Sequence, residues 1–398
     1  MTRIDGDVVL LEGAALADGR SDSLRRGVSL LVEHGVVTGL WEGDRPAAPA
    51  GARVVDASGA TLVPGMVDSH AHLSMPGGAQ WVQRGFDPSE ELLAVAEENG
   101  ELMVRAGIRW ARDVGAPRRP DPATGGERAL SLRLRDAWAG RADRPYLRAA
   151  GTWIARTGAL PHGLAVEVAH GADLLDAARV QLDDGADLVK LYLDGPDRDT
   201  PPFSADEVSA LVREAHARGA KVAAHAGALH GARVGAAAGV DSIEHGFELD
   251  RDAAGAMAAA GTTLVSTLGV LHSWLTFTST SAVDRFTAPD SRAGIGARLE
   301  AAEEGVRLAH AAGVAVAGGS DFGGGSLRAN QLAWEAESLV RAGLPPHEAL
   351  AALTWRGGDL LGDPAAGRLV VGGPAHFSLV HGDPLSDPAC LWRVWLTR

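Results

Sequence analysis

The stretch that decides the fold is residues 218–246, RGAKVAAHAGALHGARVGAAAGVDSIEHG. A helical pattern closes at Gly219, and a short apolar strand follows at once and ends in His225. The next helical run closes at Gly239, and its strand ends in His245. Glycine suits both closing positions because the left-handed backbone of a helix C-cap costs it little. Working outward, the same device recurs in AGIRWARDVG (106–115), DGADLVKLYLDG (184–195), AGTTLVSTLG (260–269) and AGVAVAGGSD (312–321), so Gly107, Gly185, Gly261 and Gly313 are read as caps too. TLVPGMVDSHAHL (61–73) in front and PYLRAAGTWIA (145–155) between bring the strands to eight.

Amphipathic helices are predicted between these strands. SADEVSALVREAHARG (204–219) has a Ser204/Glu207 capping box, with Val208, Leu211, Val212 and Ala215 on one face. Eight strand-then-helix units with near-continuous apolar strands predict an α/β chain built as a (β/α)8 TIM barrel over residues 62–367. A doubly wound open sheet is the alternative, but no GxGxxG follows a strand to support dinucleotide binding. The ends read differently. DVVLLEG (7–13), VSLLVEHGVVTGLWEG (28–43), RLVVGGPAHFSLVHGD (368–383) and LWRVWLTR (391–398) are strand-and-turn patterns, so residues 1–61 plus 368–398 are expected to form one small β-sandwich domain from both termini.

Composition narrows the function classes. The 398 residues, 46% hydrophobic and 22% charged, describe an ordinary globular chain with room for a large core. A net charge of -14 argues against nucleic acid or an anionic membrane as partner, since both are bound mainly by neutralising phosphate. No apolar run reaches membrane-spanning length, and acids interrupt the apolar stretch of MTRIDGDVVLLEGAALADGR (1–20), so a cytoplasmic protein acting on a small molecule is expected. The single cysteine, Cys390, excludes an internal disulfide or a thiolate cluster within one chain. Only two lysines occur, Lys190 and Lys221, which singles out Lys190 in its apolar strand for chemistry a guanidinium cannot perform.

The polar residues at the strand ends carry that chemistry. His70 and His72 alternate on the first strand and project to one face. Asp113, Lys190, His225, His245 and Asp321 fall five to eight residues past their capping glycines, at the C-terminal mouth where barrel enzymes place catalytic groups. Imidazoles and a carboxylate converging there predict a divalent-cation site, with Zn2+ the best match to nitrogen and oxygen donors and Mn2+ or Co2+ as alternatives. Burial of Lys190 would leave a neutral amine able to add CO2, and the resulting carbamate could bridge two cations. The bland reading pairs Lys190 with Asp113.

With these motifs the sequence resembles the amidohydrolase superfamily, in the branch similar to imidazolonepropionases and Xaa-Pro dipeptidase. GADLVKLYLDG, AAHAG, GVDSIEHG, GVAVAGGSDFG and GRLVVGGPAHFSLVHGDPL extend the likeness over nearly the whole chain. The resemblance implies that His70, His72 and Asp321 bind one metal, that His225 and His245 bind a second, and that a carbamate on Lys190 bridges them. It also implies that His162, in TGALPHG, polarises the scissile carbonyl. The implied activity is hydrolysis of an amide-type C–N bond in a dipeptide, N-acyl amino acid or cyclic amide. The resemblance further implies that a metal-bridging hydroxide would attack and that Asp321 would carry the proton to the leaving amine. A mononuclear site on His70, His72, His225 and Asp321, of the imidazolonepropionase or deaminase kind, is the nearer alternative; lactone or phosphotriester hydrolysis and a non-catalytic barrel are others. The family's His-Ala-Tyr is His225-Ala226-Gly227 here, its Gly-Thr-Asp is Gly319-Ser320-Asp321, and its closing Ala-Asp is Ala375-His376.

Specificity is expected from loops at the mouth: Trp81, Gln83 and Arg84 after the first strand, Arg118 and Arg119 after the second, and His272, Trp274 and Phe277 after the seventh. Tyr192 is expected in the wall and Asp113 in a structural pairing. The terminal β domain could support a homo-oligomer.

Overall fold

Eight strands follow one another through the middle of the chain: β1 (Met66–Ala71), β2 (Ile108–Asp113), β3 (Tyr146–Ala149), β4 (Leu188–Tyr192), β5 (Lys221–Ala226), β6 (Ser242–His245), β7 (Thr263–Ser266) and β8 (Val316–Gly318). They are described in a computed structural model covering residues 2–3, 6–197, 199–325 and 327–398. β1, β2 and β3 pair in parallel in one sheet, and β4 to β8 pair in sequence order in another. Two seams join the sheets into a ring. At one, Ala150 bridges Leu188 and the Asp187 amide donates to the Ala149 carbonyl at 3.0 Å. At the other, Ala71 bridges Phe322 and the Asp321 amide donates to the His70 carbonyl at 2.8 Å.

Strands buried on both faces explain the unbroken apolar runs; every residue of β1 and β2 is buried. The crossover helices bury one face each. In the helix Ala205–Ala217, Ser204 and Glu207 form the reciprocal capping box and Val208, Leu211, Val212 and Ala215 are the buried residues, as the periodicity requires. The six glycines read as caps all have positive φ, between 72° and 86°.

The two ends of the chain meet in one eight-stranded sheet. Phe377–Val380 pairs antiparallel with Thr61–Pro64 and with Val394–Thr397, while Val8–Leu16 pairs with Arg25–Glu33. Val9, Leu30, Leu62, Phe377 and Leu379 are packed in its core. The chain leaves this sheet at Gly65, whose amide donates to the His376 carbonyl at 2.8 Å, and enters β1.

The stretch after β7 is helical (Leu268–Thr280, Asp284–Thr287 and Ser291–Ala311) where the sequence suggested a loop. Its hydroxyls bond back to their own helix: Thr276 to the Ser273 carbonyl, Thr278 to that of Leu275 and Thr280 to that of Thr276. That back-bonding lets a Ser/Thr-rich sequence stay helical. Among the described residues no helix is long and apolar enough to cross a membrane.

Candidate metal centre

One cavity of about 160 Å³ opens at the C-terminal ends of the ring strands, and His70, His72, Lys190, His225, His245 and Asp321 all line it. His70 ends β1 with His72 just beyond it, Lys190 lies within β4, His225 and His245 finish β5 and β6, and Asp321 follows β8. Ligand atoms of His70, His245 and Asp321 lie within 4.8 Å of one another. Asp321 Oδ1 is 3.5 Å from the Nε2 atoms of both His70 and His72. The imidazoles form a continuous row, with ring centroids 5.3 Å apart for His72 and His70, 4.7 Å for His70 and His245, and 4.5 Å for His245 and His225.

The outer nitrogen of each ring is committed elsewhere, and that fixes which lone pair faces inward. His72 Nδ1 faces the Gly115 carbonyl at 2.8 Å; a carbonyl only accepts, so Nδ1 carries the proton and Nε2 is bare in the neutral ring. His70 Nδ1 donates to Glu244 at 2.6 Å, and His245 Nδ1 meets the Thr267 hydroxyl at 2.8 Å. His225 is reversed, with Nε2 held by Asp194 at 3.1 Å, leaving Nδ1 as its free donor atom. Burial holds the pKa of His70 and of His245 well below the usual imidazole value, helped by Lys190 at the first and by His225 at the second. Both are therefore neutral bases at neutral pH, the form that binds a metal.

Lys190 Nζ is buried and has no hydrogen-bond partner, which removes the pairing with Asp113 as an alternative. Asp113 instead accepts from the amides of Leu73 and Gly115, and so braces the turn whose carbonyl orients His72. Burial brings the Lys190 amine down to about 8. An orphaned buried amine beside four imidazoles and a carboxylate fits the donor set of a divalent-cation site.

Two backbone features keep the donors in place. His245 and Asp321 have φ of 73° and 51°, a region uncommon for residues with a side chain and frequent at functional sites. Gly319 lets β8 approach β1 closely: a Cβ there would lie 2.4 Å from His70 Cβ.

The remaining expectations divide. Trp81, Trp274 and Tyr192 line the cavity, and the Tyr192 ring stacks on His225 at 3.9 Å. His162 is not brought in; its side chain is 95% exposed and bonds Glu167 at 2.5 Å, although its neighbours Leu160 and Leu164 are in the wall. Arg118 and Arg119 do not line the cavity; Arg118 pairs with Asp184 and Arg119 donates to the Gly85 carbonyl. Arg84 pairs with Asp87, His272 meets Arg341 and Phe277 packs on Phe286. Gln83 does not line the cavity.

Sequence reading missed Asp194, Trp153, Phe247 and Arg298 in the wall, and Glu244 behind it. Glu244 is fully buried, accepting from His70 and from Arg112, whose guanidinium also reaches Ser242 and the Ser69 carbonyl. Position offered a signal for two of them. Asp194 lies four residues beyond Lys190, and Glu244 immediately precedes His245.

Inward-facing imidazole nitrogens, a carboxylate and an amine at the mouth of a parallel ring are the set of groups that a metal-assisted hydrolase uses. The chain belongs to the amidohydrolase family, whose sequence model matches residues 61–395. It is a hydrolase of C–N bonds. A Mycobacterium tuberculosis protein of unassigned function is 30% identical over 347 residues, covering 85% of each chain. Imidazolonepropionase from Salinispora tropica is 31% identical over 278 residues, covering 62% of this chain and 63% of that one. Among solved structures, a Xaa-Pro dipeptidase with bound methionine in its active site is similar over 97% of both chains, with 25% identity and a TM-score of 0.82.

Proposed function

We propose that this protein is a metal-dependent amidohydrolase that cleaves the amide bond of a small, largely apolar substrate such as a dipeptide or N-acyl amino acid. The observation that carries this reading is the convergence of His70, His72, Lys190, His225, His245 and Asp321 on one cavity. In it the ring of strands is a (β/α)8 barrel spanning residues 62–367, with residues 1–61 plus 368–398 as the flanking sandwich domain. His70, His72 and Asp321 would hold one cation and His225 and His245 a second, with Lys190 as a carbamate serving both; Zn2+, Mn2+ or Co2+ suits these donors. Bound cations supply Lewis acidity, polarising a carbonyl and making water acidic.

The chain's own residues do the rest. Asp321 takes a proton from the attacking water on its carboxylate and returns it to the leaving nitrogen. Trp81, Trp153, Trp274 and Phe247 form an apolar enclosure that excludes bulk water and admits a side chain of modest size. The likeness to a Xaa-Pro dipeptidase holding an amino acid supports a substrate of that kind.

A second reading, one cation and a cyclic-amide substrate, is favoured by the tight grouping of His70, His245 and Asp321 and by the likeness to imidazolonepropionase. Metal content of the purified protein separates the two. Two equivalents per chain with amide hydrolysis support the first, and one equivalent with full activity supports the second. Asp321→Asn is expected to lower kcat about 10²–10⁴-fold; undiminished turnover by this variant would remove Asp321 from its role.

A further inference from the structure

Among the described residues, Arg298 is the cavity-lining group whose charge the hydrolytic reading leaves unused. It lies on the helix Ser291–Ala311 and reaches the wall next to Tyr192, Asp194 and Phe247, with its guanidinium carbon 5.0 Å over the Phe247 ring. Among the described residues no carboxylate lies within ion-pair distance of it, and its buried Nε has no hydrogen-bond partner. Asp194, an acid of the same wall, is already committed to His225 and to the amides of Gly227 and Ala228. A guanidinium held against an aromatic face at an apolar cavity, with donors to spare, is a receptor for a planar anion.

Gly227 lies beside the guanidinium and leaves room for it. A Cβ on Gly227 would lie 3.0 Å from an Arg298 Nη2 atom, 2.9 Å from Asp194 Oδ2 and 3.4 Å from the Phe247 ring. We propose that Arg298, in the room left by Gly227, binds the carboxylate of the substrate and restricts the enzyme to amides that carry one. This rests on the amide-hydrolase reading and narrows it to amides that carry a carboxylate, such as acyl amino acids and dipeptides, against uncharged amides.

The test uses Zn2+-reconstituted protein and a panel of N-acetyl-L-amino acids, each compared with its carboxamide. Wild type should favour the acid, and Arg298→Met should reduce the ratio of kcat/KM for acid over carboxamide about 100-fold, chiefly through KM. Gly227→Ala, with metal content verified, should move the ratio the same way by displacing the guanidinium. A wild-type ratio near one, or a ratio that Arg298→Met leaves alone, overturns the inference while amide hydrolysis stands. If no compound in the panel is turned over, the same compounds are stable ligands for calorimetry. Binding of the acids that is lost in Arg298→Met would then support the carboxylate site while the hydrolytic reading fails, and equal binding by both proteins would overturn it.

Discussion

Lys190 separates an amine chosen for its chemistry from one chosen for its charge. Its Nζ is buried without a partner, an expensive arrangement unless something else completes it. On the proposed reading Lys190→Ala should therefore lose activity and bound metal, and added short carboxylic acids should restore part of both, because a free carboxylate can occupy the space of the carbamate we propose. A fully active Lys190→Ala, or one deaf to acetate and propionate, would count against the carbamate. Glu244 is the opposite case, a buried carboxylate with every contact used: it joins His70 to Arg112 at 2.6 and 2.5 Å. Glu244→Gln leaves the Arg112 charge uncompensated and frees His70 to turn. Chemical denaturation should reveal a loss of about 3–5 kcal/mol, together with weaker metal retention. The polar side chains proposed as donors at the cavity were legible in sequence because each lies in or just beyond an apolar strand, where a polar side chain stands out. Glu244 and Arg112 were not, since a carboxylate in SIEHG and an arginine in RWARDVG look like ordinary charges until the ring brings β2 and β6 opposite β1. His162 shows the converse: its segment supplies Leu160 and Leu164 to the wall, but its own side chain points to Glu167.

At the scale of elements, capping chemistry was read reliably because it is local. Ser204 accepts from the Glu207 amide while Glu207 accepts from the Ser204 amide at 2.8 Å. Ser204→Ala should destabilise the protein by about 1 kcal/mol, measured as a lower denaturation midpoint with unchanged m-value. No change in the midpoint would mean that packing of Val208, Leu211, Val212 and Ala215 alone holds the helix start. The helices after β7 were less legible because hydroxyls bonding to their own helix carbonyls reverse the usual meaning of Ser and Thr. That excursion contributes Trp274 and Arg298 to the cavity wall. Long-range partnership decides which of its side chains face inward: His272 is drawn to Arg341 and Phe277 to Phe286.

For the whole molecule, stability depends on acids held in the interior between the ring and its outer helices. Glu335, on the helix Leu332–Arg341, is fully buried beneath β7, accepting from the Ser266 hydroxyl at 2.5 Å and the Gly269 amide at 2.7 Å. Burial outweighs those hydrogen bonds and pushes its carboxyl up to about 7. Between the ordinary glutamate value and pH 7 the unfolded chain has therefore released a proton that the folded chain still holds. Stability from this group is complete below the unfolded pKa, falls as pH rises through that interval, and levels off above the folded pKa, with a total loss of about 3 kcal/mol. Asp68 and Asp113, each raised to about 6 by burial, slope in the same direction, so the wild-type curve is a composite. Glu335→Gln isolates one contribution, because an amide has the shape of the protonated acid: its oxygen can accept from Gly269 while its NH2 donates to Ser266. Urea titrations from pH 4.5 to 8 should give a difference curve that favours the variant increasingly towards pH 7 and is flat beyond it. A difference independent of pH would mean that Glu335 is ionised throughout, with its two donors sufficient to hold the charge.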